Sequence, residues 1–140
     1  MKILMNSRSR AKTVSDVVKK SQADYTTTDL WTLARSDDPF IQAQAVVAKT
    51  CPLEIYEYLL DLNNSFIVSE IISSIYTPAE ILDEIVKKPH ISERRKFHVI
   101  RNPNVSTDTL QYLIDNDTSD LVVSEANKKL TIIQNFGEHK

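Results

Sequence analysis

The sequence predicts an all-α fold: an α-solenoid of about four helix-pair repeats preceded by an N-terminal helix. Three observations point there. The 140 residues hold a single glycine, Gly137, so tight primed hairpin turns and amide-lined phosphate loops have no glycine to build them. The chain must instead turn through Pro, Asn, Asp, Ser and Thr, which suits helix–helix corners. Helix entries also recur with related caps, and the apolar residues behind them return at a near-constant interval.

An N-terminal helix is expected over residues 14–20. Thr27-Thr28-Asp29-Leu30 opens the first repeat with an acid in its first turn. Cys51-Pro52-Leu53-Glu54 opens the second with the same Pro and Glu spacing as the third, without a strong cap. In the third, Thr77 is expected to cap, Pro78 to take the first helical position and Glu80 to complete a capping box. Ser106-Thr107-Asp108-Thr109 opens the fourth.

The first apolar residues, Leu30, Ile55, Ile81 and Leu110, stand 25, 26 and 29 residues apart. Ala34, Leu59, Ile85 and Ile114 follow four residues later. A polar break ends each helix, and a second helix is expected behind it, led by Ile41, Ile67, Ile91 and Val122. Ala45, Ile71, Ile75, Phe97, Val99 and Ala126 are among its later apolar residues. One such pair cannot bury its own apolar face, but stacked pairs can, and roughly three are needed. The domain expectation is a flexible basic arm over residues 1–12 and one helical-repeat domain over residues 13–140.

The pattern resembles the leucine-rich repeat variant family and, more distantly, HEAT repeats. The last unit matches best, with Asn102-Pro103-Asn104, Leu110, Leu113, Asp117, Val122 and Ala126. The first also fits, with Leu30, Leu33, Ala34, Asp38-Pro39, Ile41, Ala45 and Ala48. The middle units lack Asn-Pro at the entry. The resemblance implies a curved scaffold that binds macromolecules, and it transfers no catalytic residue.

Charge is unevenly spread along a chain of net charge −2. Residues 1–20 hold six Lys/Arg against one acid, and residues 21–86 hold two against eleven. Residues 87–101 again hold six against one: Lys87, Lys88, Arg94, Arg95, Lys96 and Arg101. On a helix, Arg94, His98 and Arg101 share a face. Two readings are open: a concave site for phosphate or an acidic protein segment, or pairing of Arg94 with the matching Glu70 and Glu125. The N-terminal Arg8, Arg10, Lys12, Lys19 and Lys20 could bind nucleic acid or belong to a plain terminus. A pI of 5.9 speaks against a dedicated nucleic-acid binder.

Trp31 and Tyr56 sit at matching positions, one after Leu30 and one after Ile55. They either form an exposed aromatic column that anchors a protein partner or staple adjacent repeats inside the core. Catalytic chemistry is not expected. His90, His98 and His139 share no metal-ligand spacing, and Cys51 has no CxxC partner. Cys51 reads as a small buried residue rather than a nucleophile. A base-excising glycosylase using Trp31 with Asp37 or Asp38 would need a pocket and a longer chain.

No cofactor or metal is expected. One cysteine, no apolar run near the length of a membrane helix and no secretory leader pattern predict a reduced, cytoplasmic setting. Scarce Gly beside plentiful Asn, Lys, Ile and Ser is compatible with an AT-rich source. The expected function is a non-catalytic adaptor or inhibitor that binds another protein; the alternative is nucleic-acid binding through the basic surface. A poorly capped repeat end, with Ile132, Ile133 and Phe136 in the tail, also leaves a dimer open.

Overall fold

The computed structural model describes residues 13–137. Among them are nine helices, one 3-10 turn at Gln22–Asp24 and no strand. The helices are α1 (Val14–Val18), α2 (Thr27–Ala34), α3 (Pro39–Val46), α4 (Leu53–Asp61), α5 (Ser65–Ser73), α6 (Ala79–Val86), α7 (Glu93–Arg101), α8 (Thr107–Asn116) and α9 (Asp120–Gly137). The expected basic arm, residues 1–12, lies outside the described residues. The chain divides into two compact units, Met1–Ile71 and Ile72–Lys140, and the division falls inside α5.

Side chains start most of the helices. Thr13 with Asp16, and Thr26 with Asp29, form reciprocal capping boxes at α1 and α2. Asp38 accepts from the Phe40 amide at α3, and Ser92 and Ser106 accept from the Arg95 and Thr109 amides. The expected Thr77 cap is not used. Pro78, in extended conformation, is the N-cap of α6, and no side chain caps that end. Thr77 is fully buried instead, and its carbonyl accepts from Asn104.

In the first unit, α2 packs on α3 and on α4, α3 packs on α4, and α1 packs on α2. In the second, α6 packs on α7 and α8, and α9 packs on α8 and α7. Each unit thus packs helices that are neighbours in sequence and helices two apart. The buried positions repeat with the pairs. Ile55, Tyr56, Leu59 and Leu60 are buried in α4, as are Ile81, Leu82, Ile85 and Val86 in α6. Two adjacent buried positions per turn give a stripe wide enough for neighbours on both sides. In α8 the position expected at Ile114 is taken by the buried Leu113, and Ile114 is half-buried.

The corners inside the pairs explain the uneven interval. Residues 35–38, 62–64 and 117–119 make short corners, but residues 87–92 make one of six residues between α6 and α7. Ile91 therefore does not lead a helix; it lies half-buried in this corner, and α7 starts at Glu93. Ile75, expected in a second helix, stands past the end of α5 and is 60% exposed. Without glycine, left-handed backbone falls to Asn63 (φ 54°) and His90 (φ 65°), and asparagine is among the residues that tolerate it best.

Asn102-Pro103-Asn104 has a definite job. Asn102 is buried, and its Nδ2 donates to the carbonyls of Ile72 (2.7 Å) and Ser74 (2.9 Å). Its Oδ1 accepts from the Asn104 amide at 2.8 Å. Asn104 Nδ2 donates to the carbonyls of Ile75 (2.6 Å) and Thr77 (2.9 Å). Two side chains thus tie one inter-pair turn to the preceding one. Replacing Asn102 by Ala should lower stability by about 2–3 kcal/mol, because buried hydrogen bonds are lost with no water to replace them. Urea unfolding of Asn102→Ala against wild type checks this, and an unchanged midpoint would contradict the assignment.

Candidate functional site

The expected basic cluster separates into two places. Lys87, Lys88 and Lys96 line a hollow of ≈ 270 Å³ at the long corner, together with His90, Tyr112, Asn116 and Asp117. Arg94, His98 and Arg101 are exposed on α7 and do not line it. Arg95 is half-buried. The spacing argument for a shared α7 face thus agrees with their exposure, but the six cations do not form one site.

Most of these lysines are tied to carboxylates. Lys87 Nζ lies 2.8 Å from Asp83 and 5.1 Å from the centre of the Tyr112 ring. Asp83 also accepts from the Thr109 hydroxyl at 2.7 Å. Burial alone would raise the Asp83 carboxyl, but the bonds from Lys87 and Thr109 and the Lys87 charge outweigh it and lower it. The same bond to Asp83 raises Lys87 against the opposing effect of burial. Lys96 Nζ is 2.6 Å from Asp117, and both side chains are largely covered. Burial would raise Asp117 too, yet the Lys96 bond, the Ser119 amide and the Lys96 charge hold it low.

Lys88 lies 4.0 Å from Glu84. Glu125, expected near Arg94, lies 3.9 Å from Arg101 and 3.8 Å from Lys128. Lys87 and Lys88 therefore pair along α6 and its end, while Lys96 reaches across to the α8–α9 corner, and the hollow offers an incoming anion little uncompensated charge.

The exposed column expected of Trp31 and Tyr56 does not form. Tyr56 is 1% exposed and its hydroxyl donates to the Val46 carbonyl. Trp31 is half-buried, stacks edge-on against Tyr58 at 5.5 Å and carries Arg35 over its face at 4.5 Å. Trp31 is the fifth residue of α2 whereas Tyr56 is the fourth of α4, so the helical turn takes Tyr56 inward. The exposed pair is Phe40 with Phe66, whose ring centres lie 4.6 Å apart. Phe40 is 67% exposed and Phe66 37%. Each is the second residue of its helix and immediately precedes the leading isoleucine, so the signal stood in the sequence beside Ile41 and Ile67.

A groove of ≈ 290 Å³ runs between α7 and α9, lined by Phe97, Ile100, Arg101, Glu125, Lys128, Lys129 and Ile132. Among the described residues no group of three His, Cys, Asp or Glu is placed to hold a metal, and no helix is long and apolar enough to cross a membrane. Cys51 is half-buried, and burial pushes its thiol from 9.0 up to about 12. It is thus a protonated packing residue at neutral pH. No protein-family model, curated protein or solved structure matches the chain.

Two measurements follow from this electrostatic picture. Asp117 is lowered from 3.8, so its contribution is complete above that value and is lost as pH falls through the lower folded value. Asp117→Asn should therefore be less stable than wild type at neutral pH, and the gap should close on acidification below pH 3.8, read by urea midpoints. Native Cys51 should react with iodoacetamide about ten- to a hundredfold more slowly than an ordinary thiol, and at the ordinary rate once unfolded.

Proposed function

We propose that this chain is a non-catalytic helical-repeat protein that binds another protein, as an adaptor or inhibitor. The observation that carries the reading is the Phe40–Phe66 pair. Two touching, mutually tilted rings at the start of successive second helices keep large apolar area in water. Exposed aromatics of this kind are favoured anchors in protein interfaces. The pairwise packing inside each unit supports the helical-repeat reading and the resemblance to leucine-rich repeat variant and HEAT proteins.

Acids surround the pair: Asp37 and Asp38 are exposed before Phe40, and Glu70 is half-exposed one turn after Phe66. A partner with a basic rim around an apolar pocket fits that arrangement. Nucleic-acid binding keeps one observation in its favour, the exposed Arg94, His98 and Arg101 on α7. It predicts steep salt dependence.

Affinity capture from native extract, with and without nuclease, separates the two. The protein-binding reading expects a partner that survives nuclease and whose affinity falls by about 30-fold or more in Phe40→Ala with Phe66→Ala. The unfolding midpoint of Phe40→Ala alone should barely move, since Phe40 is 67% exposed, so a loss of binding in that single variant reads the surface and not the fold. Capture that vanishes with nuclease and with Arg94→Glu plus Arg101→Glu would replace this reading with the nucleic-acid one.

A further inference from the structure

The last helix is out of scale with the rest. α9 runs 18 residues, about 27 Å, whereas α8 has 10 and α7 has 9. Its buried side, Val122, Ala126 and Leu130, covers α7 and α8. Beside the polar face that carries the exposed Ser124, Thr131 and Asn135, the helix also shows water an apolar strip. Leu121 is 64% exposed, Ile132 52% and Phe136 68%. Between Leu121 and Ile132 on the same strip stand Glu125 and Lys128, spaced four, three and four residues. That is the spacing of a helix seam.

The order of residues along the strip is self-complementary in one arrangement only. In an antiparallel copy centred between Ala126 and Asn127, Leu121 faces the partner's Ile132 and Glu125 faces the partner's Lys128. A two-fold axis repeats both contacts, giving two apolar pairs around two ion pairs. A parallel copy sets Glu125 on Glu125 and Lys128 on Lys128. The antiparallel register that pairs Leu121 with Phe136 sets Lys128 against Lys129 and Glu125 against Ile132. Both alternatives oppose like charges.

The surface beside the strip suits a second helix. Lys128 and Ile132 line two hollows at once, the groove toward α7 and a shallow one bordered by Asp120, Val123, Asn127 and Thr131. A ridge with a groove on each side is the shape that packs helix on helix. Glu125 is available for exchange, because its two cations on its own chain stand at 3.9 and 3.8 Å and are 65% and 72% exposed.

We infer that α9 is a self-association surface, and that its occupant is α9 of a second copy, antiparallel and centred between Ala126 and Asn127. One helix pair is a small interface, so the dimer is concentration-dependent rather than permanent.

Sedimentation equilibrium of the full chain up to millimolar concentration tests this. The mass should rise from 16.0 kDa toward twice that value. Glu125→Lys should weaken association at least tenfold by setting like charges together, and adding Lys128→Glu should restore it. Ile132→Asp should also weaken it, and the circular dichroism of every variant should match wild type, because Lys128 and Ile132 are exposed and Glu125 is half-exposed. A monomer at every concentration would overturn the inference. So would a dimer indifferent to Glu125→Lys, or one that the double charge exchange fails to recover.

Discussion

Helices of eight to ten residues do not hold in water alone, because nucleation costs more than so few backbone bonds return. In α2 through α8 that length is the rule, so the fold depends on each first helix being buried from two directions. Ile81 and Leu82, then Ile85 and Val86, point to both flanks of α6, and the helix meets α7 on one side and α8 on another. Each such side chain contributes roughly 1.5–3 kcal/mol when fully covered. A loss at one of them uncovers two neighbours at once.

The second requirement is turning the chain with almost no glycine. Side chains do at the corners what glycine does elsewhere. Asn102 and Asn104 gather the Ile72 carbonyl at the end of α5 and three carbonyls of the turn behind it, and Asn63 takes the left-handed position between α4 and α5. The lysines of the basic block act in the same spirit. Lys96 reaches Asp117 at the α8–α9 corner, and Lys87 reaches back to Asp83, which in turn holds Thr109 of α8. Charge that looks like a ligand site in a linear reading is here spent on joining elements.

The helices themselves were legible because their signals are local. Caps, breaks and apolar spacing mark the helices among the described residues, and the resemblance singles out the Asn-Pro-Asn corner whose bonds the structure supplies. What failed were inferences about distance. The interval of 29 residues hid a six-residue corner, which shifted the expected start of α7 from Ile91 to Glu93. Trp31 and Tyr56 were aligned on their neighbours Leu30 and Ile55, yet a one-residue slip on a helix is 100° of rotation, enough to bury Tyr56. Phe40 and Phe66 carry no distinguishing mark in the sequence, because a Phe beside an Ile has the pattern of a core residue. The ion pairs of Lys96 and Lys87 depend on which corner lies beside which, and no spacing along one helix reports that.

Asp29 gives the first unit a shared fastening. It has no exposed surface, accepts from the Thr26 amide in the capping box of α2, and binds Lys20 at 2.7 Å just past α1. α1 is only five residues long and buries one of them, Val17. Its attachment and the start of α2 therefore hang on one carboxylate. Amide exchange should report the two as a single cooperative segment, with α1 and the first turn of α2 opening in step and the remainder of α2 opening later.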